Sequence, residues 1–268
     1  MTSFAVDQRE IEILLALAWA APLHTSELHT LAVPEISVPT LSRLLNRMLA
    51  REWVERTRIT EPRTGYRTPP KRKGDIWQLA PKGWQVLPDD DRRPVQAAPV
   101  RHGLLEHDLS RATLIATLIH RARPQLSGAY LEFETRIDQA QPRPRCDALL
   151  IFRRGRPVPG GLPWVRVKAE PDEVVRGWAI EVDRDTEPLS IIREKAVAYK
   201  RAAHDPAFYT RYGHMPIPLW LVPDRKRAQW VLETWREVWP EGRWYLMTDA
   251  TIPTLMAVEY NQGERPLK

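Results

Sequence analysis

The chain has 268 residues, 43% of them hydrophobic and 28% charged, a composition that folds as one large domain or two ordinary ones and excludes a disordered tail. One cysteine excludes a disulfide framework and a cysteine-rich zinc site, and no apolar run reaches the length of a membrane span. Forty basic residues against 34 acidic leave a formal charge of +6, which makes a polyanion the first partner to consider. The opening MTSFAVDQRE has no basic-then-apolar leader, so a cytoplasmic protein without a membrane partner is expected.

Asp7 is placed to cap a first helix in which Ile11, Leu14, Leu15 and Ala18 recur at helical spacing before Pro22. A second short helix is expected over Thr25–Leu31. A third begins after Pro39, with Leu41, Leu44, Leu45, Met48 and Leu49 on one side and Ser42, Arg43, Asn46, Arg47 and Arg51 on the other. Beyond Trp53 the pattern alternates through Val54 to Ile59, and a second strand is expected at Asp75–Ala80. Between them lies a basic loop with Arg63, Arg67, Lys71, Arg72 and Lys73, turning at Gly65 and Gly74. Three helices and a hairpin with a basic tip follow the order of a winged helix-turn-helix. In that motif the third helix enters the major groove of double-stranded DNA and the wing lies on its backbone.

From Arg43 to Lys82 there are eleven basic and four acidic residues, a surplus of seven, so the rest of the chain is near −1. The DNA-binding candidates are therefore Ser42, Arg43, Asn46, Arg47 and Arg51 on the helix, and Arg63, Arg67, Lys71, Arg72 and Lys73 in the wing. An arginine-rich outer face is also what a solvated helix or a protein-interaction module presents. After LAPKGWQVL, a strand-to-helix ending, comes LPDDDRRPVQAAPV with three prolines and three consecutive aspartates. It reads as a linker, giving a first domain over residues 1–87, a linker over 88–100 and a second domain over 101–268.

The second domain is expected to open with a helix over Arg101–Arg121, followed by strands at Ala129–Arg136, Arg145–Arg153 and Trp178–Arg184. A helix starting at Pro188 carries an apolar stripe of Leu189, Ile192, Ala196, Tyr199 and Ala203, with Lys195 and Lys200 beside it. A strand at Ile217–Val222, a helix over Arg225–Trp239 and a strand at Arg243–Asp249 complete an αβββαβαβ order. The fold class is thus α/β in two domains, with a mixed sheet in the second. Trp220, Trp230, Trp235, Trp239 and Trp244 crowd this region, and most of them should be core rather than platforms for bases.

Two of these strands hold carboxylates among apolar neighbours: Asp147 before Ala148–Ile151, and Glu181 with Asp183 after Trp178–Ile180. Period-two geometry sends Glu181 and Asp183 to one face, which Asp147 shares if the strands pair. Like charges raise one another's pKa, so such a trio needs a divalent cation or basic partners. Oxygen ligands of this kind suit magnesium or manganese. The opposing possibility is an ion network with Arg145, Arg184 or Lys195. Asp185 and Thr186 are expected to cap the next helix.

The element order, Asp147 on the second strand and EVDRDTEP (Glu181–Pro188) on the third resemble the PD-(D/E)xK restriction-endonuclease-like fold. With CDALLIF upstream and IREKAVAYKRA downstream, the run more narrowly resembles the bacterial plasmid replication-relaxation protein family. That resemblance implies a winged helix joined to a nuclease-like domain. It puts the motif's metal-binding Asp at Asp147 and its second carboxylate at Glu181, while Asp183 departs from it by standing where the motif carries lysine. The catalytic candidates are thus Asp147, Glu181 and Asp183 with Lys195 supplying the missing lysine, and the metal candidates are the three acids. Cys146 replaces the motif's proline; Glu106 is a possible fourth acid, and Lys200 is a less well placed alternative lysine. The implied function is DNA binding in plasmid or mobile-element replication or relaxation, with a nuclease-like domain that cuts or no longer cuts. The alternatives are an active metal-dependent endonuclease or nickase, and a regulator or recruitment module whose candidate partners are a second copy of the chain, as a homodimer, and plasmid replication or transfer proteins.

Overall fold

The computed structural model describes residues 6–20, 22–59, 74–87, 105–122, 126–137, 145–154, 174–206, 210, 215–254 and 259–260. These hold seven α-helices and two sheets, and the chain divides into two compact units between His120 and Arg121. The linker expected at 88–100 and the basic loop with Arg63, Arg67, Lys71, Arg72 and Lys73 lie outside the described residues. Among the described residues no helix is long and apolar enough to cross a membrane.

The first unit runs α1 (Gln8–Ala20), β1 (Leu23–His24), α2 (Thr25–Ala32), α3 (Val38–Ala50), β2 (Val54–Ile59), β3 (Gly74–Leu79), α4 (Pro81–Val86) and nearly all of α5 (Leu105–Ala122). Asp7 caps α1 as expected. Its Oδ1 accepts from the Arg9 amide at 3.0 Å while Glu10 Oε2 accepts from the Asp7 amide at 3.1 Å, a reciprocal arrangement that satisfies two otherwise orphaned donors. The buried face of α1 carries Glu10, Ile13, Leu14 and Leu17; Ile11 and Leu15, expected inside, are only half-buried because the stripe is rotated toward Glu10. Ser37 caps α3, and Leu41, Leu44, Leu45 and Met48 turn inward as their spacing requires. The hairpin of β2 and β3 is joined by β1, too short to leave an alternation in the sequence, giving an antiparallel sheet of order β1-β3-β2.

The second unit contains β4 (Leu126–Arg136), β5 (Arg145–Arg154), β6 (Val174–Val182), α6 (Leu189–Ala202), β7 (Ile217–Val222), α7 (Arg225–Val238), β8 (Tyr245–Thr248) and β9 (Glu259–Tyr260). Its six-stranded sheet has the order β4-β5-β6-β7-β8-β9, with β6, β7 and β8 parallel to one another and the remaining neighbours antiparallel. The crossovers β6-α6-β7 and β7-α7-β8 lay both helices on a core of Leu149, Ile151, Ala179, Trp220, Val222 and Leu246. Trp220, Trp235, Trp239 and Trp244 all belong to that core, with Trp235 edge-on to Trp220 and Trp244 at centroid distances of 5.6 and 5.4 Å; Trp230 alone of the five is exposed. Leu189, placed in the apolar stripe of α6 by its spacing, is instead 46% exposed; it is the first residue of the helix, and the buried stripe begins at Ile192.

Candidate functional site

Strands β5 and β6 pair antiparallel, with Ala148 opposite Ile180 as the last pair at this end, and Asp147 and Glu181 are the residues just beyond it. Both lie where β6 reaches its carboxyl end, the edge of a parallel sheet at which α/β proteins place their chemistry. Asp147 Oδ2 accepts from the Val182 amide at 2.7 Å, tying the start of β5 to the end of β6. Strand β6 stops at Val182, and Asp183 is the first residue beyond it, its amide still donating to Leu221 O at 2.9 Å.

Glu181 and Asp183 are both fully buried, and each spends both carboxylate oxygens on protein donors. Lys195 Nζ donates to Glu181 Oε2 at 2.8 Å and to Glu187 Oε1 at 2.7 Å; the Tyr199 hydroxyl donates to Glu181 Oε1 at 2.7 Å. Lys195 and Tyr199 stand four residues apart on α6, on one face of the helix. Asp183 Oδ1 accepts from the amides of Thr186 and Glu187 at 3.1 and 3.3 Å, and Oδ2 accepts from Arg227 Nε. Arg227 comes from the first turn of α7, also donates to the Glu187 carbonyl, and lies 3.3 Å from Asp185. Asp183 therefore closes the turn before α6. The cap expected from Asp185 and Thr186 does not form: the N-cap is Pro188, and Asp185 sits at a φ of +63° facing Arg227.

Asp147, Glu181, Asp183 and Glu187 thus meet two cations, and the excess of negative charge has an electrostatic consequence. Burial, reinforced by Asp147 and Glu187 and opposed by Lys195, pushes the Glu181 carboxyl up to about 8. Burial likewise raises Glu187. For Lys195 burial works against the charge, but Glu181, Glu187 and Asp147 outweigh it and hold the ammonium above its ordinary range. Burial and the neighbouring Glu181 raise Tyr199 well above the usual phenol value, so it acts as a neutral hydroxyl. Cys146 is buried, with its thiol pushed up by the same causes.

A divalent cation at this end of β6 would need carboxylate oxygens that no protein donor occupies. Glu181 and Asp183 have no oxygen without a protein donor, and among the described residues no group of three or more His, Cys, Asp or Glu side chains could hold a metal ion. In this arrangement Lys195 and Arg227 supply the positive charge at Glu181 and Asp183.

A family model for replication-relaxation matches residues 14–217. The chain belongs to the replication-relaxation family. The matched stretch runs from α1 to the start of β7, so this replication-relaxation protein carries Asp147, Glu181, Asp183, Glu187, Lys195 and Tyr199 within the family region and Arg227 outside it. No curated protein and no solved structure matches the chain.

Of the four site residues expected from sequence, the structure brings Asp147, Glu181 and Lys195 to one edge and turns Asp183 toward Arg227. Glu187, Tyr199 and Arg227 were not foreseen as partners. The i, i+4 spacing of Lys195 and Tyr199 could have revealed one of them; Arg227 arrives through a second crossover and leaves no local trace.

The other candidate surface is α3. Arg43 and Asn46 are exposed and Ser42 is half-buried, with Arg43 donating to Thr40 Oγ1 at 3.2 Å. Arg47 and Arg51, expected to point freely outward, both reach back to Glu10. Arg47 Nε lies 2.9 Å from Oε1, and Arg51 NH1 lies 3.2 and 3.3 Å from the two oxygens.

Proposed function

We propose that this replication-relaxation protein binds duplex DNA through α3 and the basic segment beyond β2, and acts in the replication or relaxation of a plasmid or mobile element. In this reading the first unit is a winged helix-turn-helix, supported by the order α1-β1-α2-α3-β2-β3 and by a third helix that buries Leu41, Leu44, Leu45 and Met48 while presenting Ser42, Arg43 and Asn46. The second unit is a PD-(D/E)xK-like domain that contributes binding or recruitment without cutting. The observation that carries the non-cleaving part is the saturation of Glu181 and Asp183 by Lys195, Tyr199, Arg227 and backbone amides.

Two measurements test it. Gel retardation of a short mixed-sequence duplex should show binding whose log affinity falls linearly with log salt, weakened by Arg43→Ala. If no duplex is retarded at low salt, the DNA-binding reading is wrong. Supercoiled plasmid incubated with magnesium or manganese should be bound but not nicked by the wild type, Asp147→Ala or Glu181→Ala. Nicking by the wild type that both substitutions abolish would instead make the protein a metal-dependent endonuclease.

A further inference from the structure

Glu10 is an acid only 1% exposed, and its position in α1 calls for no more than a capping contact. Its carboxylate in fact serves three groups: the Asp7 amide, Arg47 Nε and Arg51 NH1. Arg51 is held doubly, since its guanidinium also stacks 4.7 Å from the Trp53 ring centroid and its backbone amide closes α3 on Arg47 O. Arg47 is the more open of the two, with 47% of the side chain exposed against 25% for Arg51. The two arginines at the end of α3 are therefore not equivalent to Arg43, which faces out and, among the described residues, bonds to Thr40 of its own helix.

We propose that Glu10 is a positioning residue for the DNA-binding surface: it fixes the C-terminal half of α3 to the start of α1 and withholds Arg51, and partly Arg47, from the phosphate backbone. This rests on the DNA-binding reading and deepens it. A buried carboxylate that engages two guanidiniums trades nonspecific charge for a fixed helix angle. Phosphate contacts set affinity without reading sequence, whereas the angle of the helix decides which side chains meet base edges. Replacing the carboxylate by its neutral isostere keeps an acceptor for the Asp7 amide but loosens the hold on both arginines.

The test is the salt dependence of binding by the full chain to a short mixed-sequence duplex. Glu10→Gln should bind more tightly at low salt, and its slope of log affinity against log salt should steepen by about 0.9 for each guanidinium that reaches a phosphate. Arg51→Ala should lower the slope by about 0.9 in the Glu10→Gln background and by less than half of that in the wild type. Circular dichroism establishes that each variant is folded; a merely structural Glu10 would weaken binding without producing this coupling. An unchanged or shallower slope in folded Glu10→Gln overturns the proposal. If Glu10→Gln does not fold, the wild-type background decides alone, and a full loss of about 0.9 on Arg51→Ala overturns it equally. A wild type that binds no duplex strikes at the function itself, a different outcome from a wild type that binds while these variants show no coupling.

Discussion

Lys195 and Glu181 meet as a buried hydrogen-bonded pair across the end of β6, with Nζ 2.8 Å from Oε2 and the two side chains 6% and 0% exposed. Removing one member of such a pair leaves the other charged or unpaired in a medium that solvates it poorly. Lys195→Met should therefore cost about 1–3 kcal/mol of unfolding free energy near neutral pH, where Glu181, pushed up to about 8 by burial, is left as a neutral acid without its donor. Lys195→Met combined with Glu181→Leu should recover most of that loss, because an apolar pair of similar volume has no desolvation penalty. Urea denaturation of the two variants checks this; equal losses in both would mean that the pair is not the source of the cost.

The acid excess makes stability depend on pH in an unusual direction. Glu181 has an ordinary value of 4.5 and a folded value of about 8, so between these the native state holds a proton that the unfolded chain has released. Its contribution is fully present below about 4.5 and declines as pH rises through about 8. Glu187, also raised, adds to the same trend. The Tyr199 hydroxyl accommodates either form, donating to the carboxylate and able to accept from the acid. Unfolding free energy should thus fall across this window, and Glu181→Gln should flatten the fall; an identical pH profile in that variant would contradict the assignment to Glu181.

Arg227 is chosen by geometry as much as by charge. Its guanidinium reaches Asp183, Asp185 and the Glu187 carbonyl from different nitrogens, which a point charge cannot do. Arg227→Lys should lose about 1–3 kcal/mol through unmade hydrogen bonds, and Arg227→Met about 3–5 kcal/mol through an unpaired Asp183. Thermal unfolding followed by circular dichroism gives the order, and a lysine variant as stable as the wild type would show that charge alone suffices.

Sequence periodicity was enough for the helices and strands that alternate regularly, and it brought Asp147 to the face of Glu181 on the condition that the two strands pair, which β5 and β6 do. It missed β1, whose two residues are too few to show a period. It also treated Asp183 as a strand residue, since nothing local marks Val182 as the last one; the turn is fixed by Arg227, 44 residues later. The outward face of α3 was legible, but the capture of Arg47 and Arg51 by Glu10 depends on how two helices pack, and Glu10 read alone is an ordinary first-turn acid.

Gly83 in α4 offers a last prediction, in which two effects of one methyl group compete. In most helices Gly→Ala is stabilising, by up to about 1 kcal/mol, because alanine loses less backbone freedom on folding. Here a Cβ on residue 83 would stand 2.1 Å from the Trp53 carbonyl oxygen and 2.7 Å from Leu79 Cδ1. That carbonyl cannot simply retreat, since it accepts from the Ala80 amide at 3.0 Å and so joins the end of β3 to the turn after α3. Overpacking of this kind typically costs about 1–3 kcal/mol, which outweighs the propensity gain. Gly83→Ala should therefore be destabilised, and the strain should reach Trp53 and with it the ring on which Arg51 stacks. Denaturant unfolding reads the sign directly: a variant more stable than the wild type would mean that α4 does not pack this closely against Trp53.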